Sequence, residues 1–396
     1  MSISRTSRGL CRALFAAAAA CISLAVQAQG VTWEPEYRFP GAFFPSFAIA
    51  ASGRDAKGPT DTAEAYGYMQ SQSLGVKVTA APAGARVKVQ IELPELGATG
   101  EIEAPASTDS RPRSIVPRLS FSQARLSSIA QPMTTDAVFR VYIDGQLDRE
   151  VRQPLRVRAS NDAPLRACRT AERCVEYGPY LAAFVNENHP AIDNVLRAAL
   201  DIPAMPVKSW TGTQVSPNEA LRQVWALWYL MQRNKTTYSS ITTTSETRTD
   251  LLSQTVRPLS QTLRTAQANC IDGTALFASV LRRIGIEPVI VLVPGHAFLG
   301  FYVDAQMKQP VFLETTMLNA ANNPFHQQGP SQFGTALAKM AGTDVHMKQS
   351  WDSFNQALAV GQKRFEAAAP YFGKAPGYFF LPIAKAREAG VNPLPL

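Results

Sequence analysis

One short stretch of the chain, residues 269–285, decides how its second half folds, and it reads NCIDGTALFASVLRRIG. Asn269 belongs to the residue types that cap helix N-termini, and Asp272 can return a hydrogen bond to the backbone three positions earlier. The apolar residues that follow recur at the spacing of one helix face: Phe277, Val280, Leu281 and Ile284. Gly285 is placed to end the helix. The stretch predicts a buried helix whose first turn carries Cys270.

A cysteine in the first turn of a helix has a distinctive environment. The unpaired N–H groups and the helix dipole favour the thiolate of Cys270, although the carboxylate of Asp272 opposes this with a nearby negative charge. The same N–H groups can stabilise an oxyanion when a thiolate attacks a carbonyl. A single cysteine can equally be a buried structural thiol, so its function depends on the groups that the fold places beside it.

Three predicted strands follow this helix. Residues 289–293 form a continuous β-rich run, typical of a strand covered on both faces. Residues 296–303 follow a Pro-Gly turn and begin with His296, and residues 311–314 end in Glu314. A thiol nucleophile needs a base beside the sulfur and a third group that orients the imidazole. His296 and Glu314 are suitable residue types for these two roles.

Strand register decides whether Glu314 can reach His296. A five-residue loop, residues 305–309, places Glu314 opposite Gly300, which is about 13 Å along the strand from His296. A three-residue loop, residues 304–306, places Glu314 directly opposite His296. The sequence therefore predicts a triad only with the tight turn or with a bulge. Asp304 is a weaker alternative for orienting the histidine, because it lies too far along the strand in either register.

Together, these segments resemble the core of the transglutaminase-like proteins, which belong with the papain-like cysteine proteases. The resemblance covers about residues 215–320 and rests on four segments: 225–238, 269–273, 294–298 and 313–316. It implies that Cys270 is the nucleophile, His296 the general base and Glu314 the orienting acid.

The sequence departs from the family pattern at three points. Glu314 stands where the family usually has Asp, and Phe298 stands where Trp is common. The oxyanion partner upstream of the cysteine is not obvious. Tyr238 is the first candidate for it, with Gln267 behind it.

The cysteine pattern and the N-terminus both indicate export. Residues 1–28 predict a signal peptide, with three arginines, an apolar run and a small-residue cleavage site. A lipoprotein signal ending at Cys21 is an alternative. In an oxidising compartment Cys168 and Cys174 are close enough in sequence to form a disulfide, which leaves Cys270 unpaired. We expect a periplasmic or secreted bacterial protein, with no transmembrane segment after signal cleavage.

Short alternating runs with turns between them predict a β-rich N-terminal part. Asp144-Gly145 between two such runs is a strong hairpin signal, whereas residues 98–114 resemble a loop. The predicted fold class is α+β, with a sandwich-like domain followed by a transglutaminase-like α+β domain. The predicted divisions are a signal peptide (1–28), a β-rich domain (29–160), a linker and helix with the disulfide (161–214), the core (215–320) and a helical C-terminal extension (321–396).

Composition excludes some functions and leaves two open. The net charge of +8 is scattered without a basic block, which disfavours nucleic-acid binding. No metal-ligand spacing or cofactor motif is evident, and the absence of Cys-x-x-Cys disfavours thiol redox chemistry. The first hypothesis is an exported thiol enzyme that transfers acyl groups from amide bonds of a protein or peptide substrate, with hydrolysis favoured over crosslinking. The alternative is a non-catalytic binding or scaffold protein of the cell envelope with an inactive transglutaminase-like domain. The sequence does not indicate the oligomeric state.

Overall fold

The computed structural model describes residues 31–53, 74–106, 112–203, 207–239, 246–319 and 344–396. The fold is mixed α+β, as the sequence predicts, and both halves of the chain contribute strands. The predicted signal peptide, including Cys21, lies outside the described residues, as does the stretch 333–340 of the C-terminal extension that was predicted to be helical. Among the residues that are described, no helix is long and apolar enough to cross a membrane.

Strands make up just over half of the described residues before residue 160. In chain order the elements are β1 (Thr32–Tyr37), β2 (Ala42–Phe43), α1 (Pro45–Ala51), β3 (Leu74–Ala80), β4 (Arg86–Leu93), β5 (Ala98–Pro105), β6 (Arg113–Ile115), α2 (Gln123–Ser127), β7 (Met133–Ile143) and β8 (Gln146–Val157). One sheet has the order β2-β8-β7-β4-β5 and the other β1-β3-β6. Apolar side chains from both sheets belong to the same hydrophobic core. Strands β7 and β8 form the predicted hairpin, and Asp144 and Gly145 at its turn both have positive φ.

The second half of the chain adds helices around two further four-stranded sheets. Its elements are β9 (Asp162–Thr170), β10 (Arg173–Glu176), α3 (Ala191–Leu200), α4 (Pro217–Arg233), β11 (Thr237–Tyr238), β12 (Glu246–Arg248), β13 (Leu251–Thr255), α5 (Leu259–Thr265), β14 (Gln267–Ala268), α6 (Cys270–Arg283), β15 (Pro288–Val293), β16 (His296–Tyr302), β17 (Pro310–Leu313), α7 (Val345–Ala368), β18 (Phe379–Pro382) and α8 (Ile383–Glu388). The sheets have the orders β10-β9-β13-β12 and β17-β16-β15-β18.

The sheet β17-β16-β15-β18 is packed on both faces, and this arrangement positions the site. Helix α6 packs against β15 and β16, and Leu299 and Phe301 of β16 join the main core with it. Side chains alternate along a strand, so Phe298 points to the opposite face. There it forms a second cluster with Phe312 of β17, against which Phe365 of α7 packs. Helix α7 therefore lies directly on the strand that precedes Glu314.

Several predictions of local structure were wrong. Residues 98–114, predicted to be a loop, contain β5 and part of β6, and residues 161–180, predicted to be part of a linker, contain β9 and β10. Helix α1 lies within the predicted β-rich domain (29–160) and was not expected; all its residues are buried, so it has no polar face from which a helical period could be read. The C-terminal part is not only helical, because β18 pairs antiparallel with β15 and extends the sheet.

Candidate active site

Cys270 is the first residue of α6, and the cap that the sequence predicts is present. The side chain of Asn269 accepts a hydrogen bond from the N–H of Asp272 at 2.9 Å. The carboxylate of Asp272 accepts one in return from the N–H of Asn269 at 3.1 Å. This reciprocal pair fixes the first helical turn, and with it the position of the thiol. Cys270 is 8% exposed and is a free cysteine.

Two neighbouring segments hold this turn in place. The N–H of Arg257 donates to Asp272 at 2.7 Å. Burial raises the pKa of Asp272, although hydrogen bonds from the Arg257 and Asn269 backbones oppose the increase. On the other side, a Cβ atom at Gly273 would lie 3.1 Å from Oγ1 of Thr315. The glycine therefore allows the start of α6 to approach the turn that follows β17.

Glu314 lies one residue beyond the paired part of β17, in a register between the two that the sequence suggested. Leu299 pairs with Leu313 and Gly300 with Phe312, so the continuing register would place Glu314 opposite Phe298. His296 is thus the diagonal neighbour of Glu314 on the same face. The long glutamate side chain spans the diagonal, and its Oε2 lies 2.8 Å from Nε2 of His296.

The loop between these strands explains the register. The side chain of Asp304 accepts hydrogen bonds from the N–H groups of Lys308 and Gln309, at 3.1 and 2.7 Å. Asp304 therefore stabilises its own loop, whereas the acid that contacts His296 is Glu314. The strands pair as far as Tyr302 and Pro310, so the loop is neither 304–306 nor 305–309, and the pairing contains no bulge.

His296 connects the thiol to the carboxylate. Its Nε2 contacts Glu314, and its ring also interacts with Cys270, which is among the groups that raise its pKa. Because Nε2 contacts Glu314, Nδ1 is the ring nitrogen left for the thiol. Burial lowers the pKa of His296, but the hydrogen bonds and negative charges of Cys270 and Glu314 outweigh it and raise this pKa to about 9. This environment favours the imidazolium form of His296.

The carboxylate of Glu314 is fully buried and contacted at both oxygens. Oε1 accepts hydrogen bonds from the Thr316 backbone N–H at 3.1 Å and from its hydroxyl at 2.7 Å. Oε2 lies 2.9 Å from Nε of Arg364, in addition to its contact with His296. Burial raises the pKa of Glu314, but His296, Thr316 and Arg364 together lower it below its usual value. The acid is therefore an ionised carboxylate at neutral pH.

Arg364 is the residue at this site that sequence reasoning missed. It lies on α7, fifty positions beyond Glu314, and is carried there by the packing of α7 on β17. No motif or local spacing links it to the other three residues, so the sequence held no signal that could have identified it.

The two oxyanion candidates take different positions. Tyr238 of β11 pairs with Ala268 of β14, two residues before Cys270, and is 48% exposed. Burial raises the pKa of Tyr238, and the charges of Cys270 and Glu314 raise it further, so its hydroxyl is close enough to sense both. The side chain of Gln267 is exposed, and its backbone carbonyl accepts a hydrogen bond from the Arg257 guanidinium. Of the two, only Tyr238 has a described electrostatic link to Cys270 and Glu314.

The remaining cysteines are paired as the sequence predicts. Cys168 of β9 and Cys174 of β10 form a disulfide across this hairpin. Cys270 is the free cysteine among the described residues. A disulfide is consistent with an extracellular or periplasmic environment.

No group of three or more His, Cys, Asp or Glu side chains within the described ranges could hold a metal ion. No protein-family model matches the chain, and no curated protein matches its sequence.

Proposed function

We propose that the protein is an exported cysteine enzyme of the transglutaminase-like class that transfers acyl groups from amide bonds. The observation that carries this proposal is the series of interacting side chains Cys270–His296–Glu314, which begins at a free thiol in the first turn of a helix. Each group has the partner that its role requires: a nucleophile beside a base, and a base oriented by a buried carboxylate. A buried structural thiol needs neither partner.

The first half of the reaction forms a thioester. The Cys270 thiolate attacks the amide carbonyl carbon, and the carbonyl oxygen becomes an oxyanion beside the N–H groups of the helix start. As the C–N bond breaks, the His296 imidazolium gives its Nδ1 proton to the leaving amine. Glu314, bonded to Nε2, keeps the ring oriented and stabilises its positive charge.

The second half regenerates the thiol. Neutral His296 takes a proton from water, and the resulting hydroxide equivalent attacks the thioester carbonyl. The C–S bond breaks, the carboxylic acid leaves, and the thiolate again faces an imidazolium. An amine in place of water would give a new amide, so hydrolysis and crosslinking share every step up to the thioester. We propose hydrolysis of a peptide or isopeptide in a protein or peptide substrate.

The finer domain assignment is part of the same proposal. Residues 29–160 would be a sandwich-like domain, and residues 215–320, together with α7 and β18, the transglutaminase-like domain. The disulfide supports an oxidising location, either periplasmic or secreted. We assign no catalytic role to the N-terminal sheets.

A thiol-directed peptide probe tests the proposal. Peptidyl vinyl sulfones are attacked by an activated thiolate and remain bound to it. We expect labelling of the wild-type protein that Cys270→Ala abolishes and that His296→Ala reduces by about a hundredfold or more, since a hundredfold is the low end of a typical general acid–base contribution. His346→Ala is the matched control, because His346 is exposed at the start of α7. Equal labelling of the wild type and His296→Ala would overturn the proposal in favour of the binding or scaffold protein.

A further inference from the structure

We propose that Arg364 is a positioning residue of this site, whose positive charge holds Glu314 as the carboxylate that orients His296. The proposal rests on the proposed thiol chemistry, and it adds a fourth residue to the machinery. Arg364 acts through Glu314, so it is not itself a catalytic residue.

The contact geometry places two cationic side chains at one carboxylate oxygen. Oε2 of Glu314 lies 2.8 Å from Nε2 of His296 and 2.9 Å from Nε of Arg364. Thr316 binds the other oxygen twice, so the carboxylate cannot rotate without losing contacts. The Arg364 contact is an ion pair rather than a well-aligned hydrogen bond, which makes its charge more important than its directionality.

Helix α7 is held on β17 by three contacts that together bring Arg364 to the acid. A Cβ atom at Gly361 would lie 2.6 Å from the carbonyl group of Phe312, so only glycine allows this close approach. The ring of Phe365 stacks on Phe312 with the centroids 3.8 Å apart. The backbone N–H of Glu314 donates to the carbonyl of Ala357 at 3.0 Å. These contacts lie on both sides of Arg364 along the helix, so the backbone that carries the guanidinium is fixed relative to Glu314.

The charges around Glu314 and His296 determine what Arg364 does. Cys270 faces them from α6, Tyr238 from β11 and Arg364 from α7. Arg364 stabilises the carboxylate form of Glu314, whose pKa is lowered. It also lies less than about 6 Å from the imidazolium and repels it, because both cations contact the same oxygen. Arg364 thus keeps the acid ionised and prevents the His296–Glu314 pair from binding its proton too tightly.

Loss of this charge should shift the activity window in a predictable direction. Without Arg364 the Glu314 carboxylate accepts a proton more readily, and the His296 imidazolium loses a proton less readily. Both limits of the pH profile should therefore move to higher pH, by about half a unit to one unit for a partly exposed charge at this distance. A purely structural role would lower all rates or the stability without moving these limits.

The experiment measures the rate of Cys270 alkylation by iodoacetamide from pH 4 to pH 10, together with the NMR titration of the His296 ring. We expect Arg364→Met and Arg364→Gln to shift both profiles upward, whereas Arg364→Lys, which restores the charge, should stay close to the wild type. Lys363→Met is the matched control, because it removes an exposed cation from the adjacent position of the same helix. Profiles of Arg364→Met and Arg364→Gln that superimpose on the wild type would overturn the proposal. An Arg364→Lys profile shifted as far as that of Arg364→Met would also overturn it.

Failure of this proposal can be distinguished from failure of the proposed function. If wild-type Cys270 alkylates with the pH dependence of a free thiol, and Glu314→Gln changes nothing, the thiol chemistry itself is wrong. If wild-type Cys270 alkylates as an activated thiol and Glu314→Gln loses this activation, the thiol chemistry holds. If the neutral Arg364 variants then match the wild type, only the role of Arg364 is wrong.

Discussion

Replacing Glu314 by glutamine removes one negative charge from the site and preserves its shape. Glu314 is fully buried, and its Oε2 is 2.8 Å from the His296 ring. In the intact protein the pKa of His296 is about 9 rather than 6.5, because its bonds to Cys270 and Glu314 outweigh the effect of burial. Without the carboxylate only Cys270 still opposes the effect of burial, so we expect the His296 pKa to fall from about 9 towards its ordinary value of 6.5.

The size of this change follows from the same values. A complete fall from about 9 to 6.5 would correspond to about 3 kcal/mol of lost stabilisation of the imidazolium, and this is an upper limit because Cys270 remains. At pH 7.5 the imidazolium fraction would fall by up to about tenfold, and the rate of Cys270 alkylation should fall by a similar factor. NMR of the His296 ring and the alkylation rate measure these two quantities independently.

A matched control separates local from general effects of charge. Glu366 is an exposed carboxylate on α7, and Glu366→Gln removes the same charge outside the site. The control should titrate as the wild type does. If Glu314→Gln keeps a His296 pKa near 9, the carboxylate does not stabilise the imidazolium and the reasoning is refuted.

Three further predictions concern stability. Because the pKa of His296 is raised in the folded protein, its stabilising contribution to the unfolding free energy should be complete below pH 6.5 and lost as the pH rises through about 9. Urea titrations of the wild type and of His296→Asn measure this contribution. A difference between them that does not decrease as the pH rises would contradict the prediction. Replacing both Cys168 and Cys174 by serine should lower the free energy of unfolding by about 2 kcal/mol, as expected for a loop this short. An unchanged free energy of unfolding in urea would contradict this. Gly361→Ala should destabilise the protein by about 1–3 kcal/mol because its Cβ would overlap the Phe312 carbonyl, and an unchanged melting temperature would show that α7 can shift freely.

The helix start was predictable because its determinants are local. Asn269 and Asp272 are three residues apart, and the capping box that they form depends on little beyond that spacing. The hairpin at Asp144-Gly145 was predictable for the same reason, since the turn type requires positive φ at both positions. In both cases the residues that determine the local structure lie within a few positions of one another.

The relation between His296 and Glu314 could be anticipated only in part. Their residue types and order were informative, but the register depends on how Asp304 closes the connecting loop through the Lys308 and Gln309 N–H groups. A shift of two residues changes a direct pair into a diagonal pair, and only a long side chain such as glutamate spans the diagonal. The sequence allowed two loops, and the structure has a third.

Features that depend on long-range packing could not be predicted. Arg364 reaches Glu314 because Gly361 lets a helix approach Phe312, which is far away in sequence. Strand β18 joins the sheet through pairing with β15, ninety residues earlier, and its short aromatic run carried no clear period. Such contacts are set by how the elements pack together, and no local pattern encodes them.

The central claim is that His296 activates Cys270, and one ratio tests it most directly. The test is the rate of Cys270 alkylation by iodoacetamide at pH 8 divided by the rate at pH 6. Cys270 is only 8% exposed, and this limited access slows both rates equally, so it does not affect the ratio. A free thiol with a pKa near 8.5 reacts roughly 70–80 times faster at pH 8 than at pH 6. We predict a ratio below about 5 for the wild type and a return towards the free-thiol value in His296→Ala. A wild-type ratio equal to that of a free thiol, unchanged by His296→Ala, would contradict the claim.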